Sequence, residues 1–390
     1  MQNLRKFFFP LLFFLFGFLL PSQLGKHFWP PFAFVNGVRT DYLAPTVYLT
    51  DMLLLLILIP KLFSLQNLPG VSRKILGYLV VGCIFLFFIT SDKLLFVYRA
   101  WQYGKIILTA IVFYTSNKTE RTGFLCGLFG ASLYTLLLTM SQIYYQGSLQ
   151  GFWWFVGERL FSITTPGIST ITIAGKTILR GYGTFAHPNS MAGFFLIVYA
   201  LGVISNLAVF TIPAILLILL SFSKAGIIMF ALIFLGFELQ KHVGCKWCQF
   251  TKINFVFWML TFLLLFKGSP GTIGERFHGW QYAVMSILQH PLGSGLANYL
   301  YQGQPIHSIL LLFGMEFGLI GLIGLIGLIR HIGLISLMRL IRLREFILIL
   351  IILSTGFVDH YWLTIQQNML LFGVVIGLIT ARLSNLETAR

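Results

Sequence analysis

Apolar runs of helical length recur along the whole chain, at 7–22, 45–61, 76–91, 102–116, 122–143, 188–205, 207–222, 225–239, 251–266, 307–329, 346–358 and 365–381. Inside hydrocarbon a backbone must satisfy its own polar groups, so such runs cross as helices of roughly 20 residues through about 30 Å of lipid. A barrel would instead show short alternating segments. The rest of the composition agrees. Hydrophobic residues make up 57% of the chain and charged residues 10%, too few to coat a soluble domain. The expected fold class is all-α: a polytopic helical membrane protein with about twelve transmembrane helices, one integral membrane domain over residues 1–390. Phe222-Ser223-Lys224 is the weakest division, and 207–239 reads either as two helices or as one bent element.

The net charge is +16, from 27 Lys and Arg against 11 acidic residues. In a soluble chain this balance would point to nucleic acid; between apolar spans it points to basic cytoplasmic loops, and no nucleic-acid partner is expected. With the N-terminus inside, sixteen of the 27 basic residues fall on the cytoplasmic side, Arg330, Arg339, Arg342 and Arg344 among them. Both termini are then cytoplasmic. The first run follows Arg5 and Lys6 without a small-residue cleavage site, so a retained anchor is expected. The four cysteines, at 83, 126, 245 and 248, form no disulfide framework, and the lone Cys245-x-x-Cys248 has no second ligand pair.

This topology places two long connections outside. The first, 144–187, carries "YYQGSLQGFWWFVGERLFSITTPG", aromatic enough to rest at a lipid interface. The second, 267–306, carries "GERFHGWQYAVMSILQHPLGSGLANY"; its apolar positions from Trp280 to Leu288 predict a short amphipathic helix ended by Pro291 and Gly293. Gly293 and Gly295 let the chain turn back toward His307.

Charged groups at a membrane edge cost several kcal/mol unless solvated or paired, so each calls for an explanation. Lys224, in "SFSKAG", is either a snorkelling lysine or a fixed cation for an anionic head group, with Ser221 and Ser223 satisfying the turn. Arg276 lies outside, against the positive-inside bias, and its fork of donors suits phosphate oxygens. His307 opens the 307–329 span, a reasonable place for a general base. Glu316 is nine residues on, about 13 Å deeper and turned by roughly 180°. A His307–Glu316 dyad on one straight helix is therefore not expected, and Glu316 is left to a neighbouring helix or to substrate. Arg180 and "GTFAHPNSMAGFF" put His187 and Asn189 at a helix start, with Pro188 in its first turn. Arg180, His187, Asn189 and Glu316 complete the candidate substrate contacts. The outer segments offer no compact carboxylate cluster, so no metal is expected. Glu275 and His278 receive no role.

Taken in order, "GTFAHPNSMAGF", "SFSKAG", "ERFHGWQYAVMSILQHPLGSGLANY" and "HSILLLFGMEFGLIGLI" resemble the O-antigen ligase/polymerase family of integral membrane glycosyltransferases. The motifs span about 180–328. The resemblance implies a GT-C-like fold in the bacterial cytoplasmic membrane and an extracytoplasmic site. It also implies cofactor-free transfer of a glycan from an undecaprenyl-diphosphate donor to a lipid or glycan acceptor. Arg276 matches the family's functional arginine and His307 its histidine. Lys224 stands where many members have arginine, which keeps the charge but not the bidentate geometry. The usual His-Asn is His307-Ser308 here.

Ligase and polysaccharide polymerase share this chemistry and differ in acceptor, which the sequence does not name; nor does it name an oligomeric state. A secondary transporter is the alternative from another class, with Asp51 and Glu316 as a proton path, but no internal repeat supports it. A scaffolding membrane protein is a third reading.

Overall fold

The computed structural model describes residues 2–35, 37–62, 86–173, 175–241, 272–301, 304–340 and 346–388, together with 82, 84, 253, 254 and 256. Most of the expected 251–266 span, half of 76–91, Cys83 and the Cys245–Cys248 loop lie outside the described residues. The chain is mostly helical. The helices are α1 Gln2–Leu19, α2 Leu49–Leu62, α3 Lys93–Tyr114, α4 Lys118–Tyr145, α5 Pro188–Ile204 and α6 Ala208–Leu220. They continue with α7 Lys224–Lys241, α8 Thr272–Gln289, α9 Ile309–Leu340, α10 Phe346–Val358, the short α11 Tyr361–Thr364 and α12 Gln366–Thr388.

Local chemistry sets several of these ends. The Asp92 side chain accepts from the amides of Leu94 and Leu95 at 2.9 Å, capping α3. This start lies well before the expected one at 102, because Arg99 and Gln102 break the apolar pattern while facing inward. Asn117 and Glu120 form a reciprocal capping box at α4. The 207–239 region is two helices: Phe222 takes a positive φ of 48°, and the Ser221 and Ser223 hydroxyls accept from the amides of Ser223 and Gly226. The predicted amphipathic segment is longer than Trp280–Leu288, occupying all of α8.

Two close pairs organise the bundle: α1 packs along α4 and α3 along α12, with α5 central against α6, α7 and α10. Gly127 on α4 lies against the Phe14 carbonyl, where a Cβ would collide with backbone. Within α9, Gly318 is non-helical (φ 70°, ψ −167°), and the Leu319 amide reaches sideways to the Pro291 carbonyl at 2.9 Å. The polypeptide after α8 is thus docked into the break in α9.

Among the described residues, four two-stranded antiparallel ribbons, which the helical periodicity does not predict, sit on connecting segments. They are β1 (Gly25–His27) with β4 (Thr46–Tyr48), β2 (Phe34–Val35) with β3 (Val38–Arg39), β5 (Thr170–Ile173) with β6 (Lys176–Leu179), and β7 (Leu300–Tyr301) with β8 (Gln304–Pro305). Their loops meet at one end of the bundle. Arg159 pairs with Asp41 at 2.7 Å, the Tyr299 hydroxyl donates to the Tyr42 carbonyl, and the Tyr42 ring stands edge-on to His360.

Among the described residues, two helices, Lys118–Tyr145 and Gln366–Ser384, are long and apolar enough to cross a membrane, and six others are apolar but shorter. The all-α expectation therefore holds at the level of a mostly helical chain. A count of twelve crossings is not established by these lengths.

Candidate functional site

The ribbon end of the bundle gathers side chains from five separate stretches of chain. His187 caps α5: its Nδ1 accepts from the Asn189 amide at 3.1 Å, while its Nε2 meets the Ser169 hydroxyl at 3.1 Å. Proline at the first helical position removes one orphan amide there. Asn189, one residue inside the helix, joins two neighbours. Its carbonyl accepts from Arg180 Nη2 at 2.8 Å, and its amide nitrogen donates to Asp359 Oδ2 at 3.2 Å. Arg180 Nε donates to the Ser221 carbonyl at 3.0 Å, tying this group to the α6–α7 turn. Lys224, the first residue of α7, is exposed just beyond that turn.

Asp359 and His360 occupy the turn between α10 and α11. Asp359 Oδ1 accepts from the His360 amide at 2.8 Å, lies 3.6 Å from His307 Nδ1 and lies 3.8 Å from His360 Nε2. Arg276, on α8, reaches the Val358 carbonyl with Nη1 at 3.4 Å. Trp280, one turn further along α8, donates from Nε1 to the His307 carbonyl at 3.0 Å and packs edge-on against Phe357. Thus α8 grips both turns that carry the site. His307 itself sits in the turn after β8, two residues before α9 begins, and does not open the helix as expected. Its side chain is 36% exposed, whereas that of Asp359 is 9% exposed.

Burial works to raise the Asp359 carboxyl, but His307 beside it, and then His360 and His187, outweigh burial and hold it well below the ordinary carboxylate range. Burial lowers His187 to about 4, with Arg180, His307 and Arg276 adding to that and Asp359 opposing it. Burial likewise brings Arg180 down to about 10, which leaves it charged at neutral pH. An ionised carboxylate at the centre, a partly exposed imidazole beside it and a rim of cations can orient a proton acceptor next to an anion-binding surface.

Glu316 is not part of this group. It is fully buried in α9, where its Oε1 accepts from Arg99 Nε at 2.8 Å and from the Ala297 amide at 2.6 Å, and its Oε2 accepts from Arg99 Nη2 at 3.1 Å and from the Tyr103 hydroxyl. Its partner is a neighbouring helix, and Arg99 fills the role expected of one. Asp51 belongs to another local set, with Lys105 at 3.4 Å and Gln366 at 2.6 Å. His278 is exposed on α8, and the Glu275 side chain lies outside the described residues.

Asp359 and His360 are not among the sequence candidates. The signal available is "VDHYW", an acid and a base on the outer turn between two apolar runs. Comparison of the chain with protein-family models, with curated proteins and with solved structures finds no match.

Proposed function

We propose that this chain is a membrane-embedded glycosyltransferase of the O-antigen ligase/polymerase type, in the bacterial cytoplasmic membrane, with its site on the extracytoplasmic side. The observation that carries the reading is the convergence of His307, Asp359, Arg276, Arg180 and Asn189 at one end of the bundle. Three of the motifs behind the family resemblance supply residues to that convergence, while the "SFSKAG" turn is attached to it through the Arg180–Ser221 contact.

The membrane part of the proposal rests on an inverted surface. Leu133, Leu137, Met140 and Tyr144 form an outward apolar stripe on α4, as do Met52, Leu55 and Ile59 on α2 and Val209, Ile212 and Leu216 on α6. Patches of this kind are rare on water-facing monomers and suit lipid. Exposed Phe152, Trp154 and Phe155, in the connection before β5, suit the headgroup layer.

In the proposed reaction, Arg276 and Lys224, with Arg180 behind them, hold the donor's diphosphate. They offset the negative charge that grows on it as the glycosidic C–O bond breaks and its electron pair moves to the phosphate oxygen. His307 Nε2 takes the proton of the acceptor hydroxyl as that oxygen bonds to the anomeric carbon, giving inversion. Asp359 keeps the His307 Nδ1–H pointed toward itself and stabilises the imidazolium that forms. The 3.6 Å separation is long for a hydrogen bond, and such contacts shorten when substrate binds. The ligase form transfers a finished chain to a lipid acceptor; the polymerase form transfers it to another lipid-linked repeat.

The test is glycan transfer by the purified protein from an undecaprenyl-diphosphate glycan in the presence of chelator. Unimpaired turnover by His307→Ala overturns the base role, and an absolute need for added metal overturns the electrostatic scheme. Deleting the gene separates the two forms: long unattached lipid-linked chains mean ligase, and accumulated single repeats mean polymerase. Normal surface glycans with altered uptake of a small solute would instead favour transport.

A further inference from the structure

We propose that His307, Asp359 and His360 also form a binding site for a divalent transition ion, and that filling it switches the site off; the inhibitory part rests on the glycosyltransferase reading, the binding part does not. One ligand atom from each residue lies within 4.8 Å of the other two. Nothing in the spacing of the sequence points to a metal here, because the acid and the second imidazole lie in a different turn from His307.

The Thr364 hydroxyl lies 3.1 Å from the His360 carbonyl and 2.6 Å from His360 Nδ1. When the hydroxyl donates to the carbonyl, the same oxygen accepts from His360 Nδ1–H, which is the tautomer that a metal ion selects. In that tautomer His360 Nε2 carries a lone pair and lies 3.8 Å from Asp359 Oδ1. Two electron-pair donors this close leave a place for a cation. An imidazole whose other nitrogen donates to a fixed oxygen is the usual arrangement of a metal-binding histidine. Asn189 holds the other carboxylate oxygen, which fixes the carboxylate's direction.

His307 supplies the third donor. Its Nδ1 is buried and has no hydrogen-bond partner. The two separations from the carboxylate, 3.6 and 3.8 Å, are close to the edge of about 3.4 Å in a tetrahedral zinc site with bonds of about 2.0–2.1 Å, and the third, between the imidazoles, is within 4.8 Å, so the set closes by drawing the two rings together. Two imidazoles and one carboxylate favour Zn²⁺ or Co²⁺ over the oxygen-seeking Mg²⁺ and Ca²⁺.

Metal binding and transfer make opposite demands on His307. Transfer needs the proton on Nδ1, facing Asp359, and a lone pair on Nε2. Coordination needs the lone pair on Nδ1, so the proton moves to Nε2 and the base is lost. The ion also takes the carboxylate that would steady the imidazolium.

The experiment titrates Co²⁺ into the purified full-length protein in detergent and follows its visible absorption, then displaces it with Zn²⁺. One saturating site per chain with tetrahedral-type bands is expected, lost in Asp359→Asn and His360→Gln and retained in His187→Gln. Thr364→Val, which keeps all three ligands, is expected to weaken binding roughly 10–100-fold and serves if the other variants fold poorly. In the transfer assay Zn²⁺ should inhibit reversibly, with chelator restoring activity, and Thr364→Val should transfer normally while needing roughly 10–100-fold more Zn²⁺ for inhibition. Absence of saturable Co²⁺ binding, or equal binding in Asp359→Asn and His360→Gln, overturns the site. Binding without any glycan transfer overturns the glycosyltransferase reading and leaves the site standing; uninhibited transfer by the Zn²⁺-loaded protein overturns the switch.

Discussion

Two clusters built around a buried carboxylate, Arg99–Glu316 and His307–Asp359, are satisfied very differently. Arg99 spends its guanidinium on both Glu316 oxygens, the Gln102 side chain and the Leu363 carbonyl, and it lies over the rings of Tyr103 and Tyr299 at 4.6 and 4.7 Å. Both ionic side chains are essentially sealed from solvent. At the other cluster Asp359 is held by an amide and an asparagine, but the nearest imidazole atom stands off at 3.6 Å without a hydrogen-bond partner, and its ring is open on one side. A closed network ties α3, α9 and the α11 turn together. An open one retains unused bonding capacity, which is what a proton-transfer or ligand site needs.

That contrast breaks if the two clusters respond alike to substitution. The largest effect is expected for His307→Ala: glycan transfer falls about 10²–10⁴-fold, as for loss of a general base, while the unfolding midpoint in detergent barely moves. Arg276→Gln should cost about 10²–10³-fold in transfer, again without unfolding, with the lysine variant intermediate. At the closed cluster the pattern reverses. Arg99→Met strands a buried carboxylate and should lower stability by roughly 3–5 kcal/mol, read by thermal unfolding in detergent. Adding Glu316→Met should recover much of that loss, because the desolvated charge is then gone.

A smaller effect sharpens the comparison through pH. The folded-state value of His187 lies below its unfolded value of 6.5, at about 4, so between these values the unfolded chain binds a proton that the native chain refuses. Stability is fully present above pH 6.5 and falls as pH drops toward 4. His187→Gln should flatten that fall, measured as unfolding midpoint against pH. The groups facing His187 are Asp359, which opposes the depression, and Arg180, His307 and Arg276, which deepen it. The smallest effect belongs to the surface pair Arg159–Asp41, whose side chains are 45% and 46% exposed. Asp41→Asn should cost at most about 1 kcal/mol and less in high salt.

Particular residues show how far the sequence can be read. Pro188 and His187 announce the start of α5 because proline and a capping side chain act within one turn. Ser221 and Ser223 mark the α6–α7 break for the same reason. The start of α3 is placed too late from sequence because Arg99 looks like an interruption of an apolar run when read alone, and becomes an ordinary core residue once Glu316 is opposite it. His307 and Arg276 stand out as isolated charges, but nothing in their spacing points to Asp359.

By itself, then, the sequence determined the helical character, most helix positions and the pair His307 and Arg276 as candidates. These follow from hydropathy, capping and charge, which act over a few residues. Only the tertiary structure decided that Asp359 and His360 stand beside His307 and that Glu316 belongs to Arg99. Each of those pairings joins turns or helices far apart in the chain. The docking of α8 against the α10–α11 turn and of the following loop into the break at Gly318 brings them together, and no local periodicity encodes that meeting.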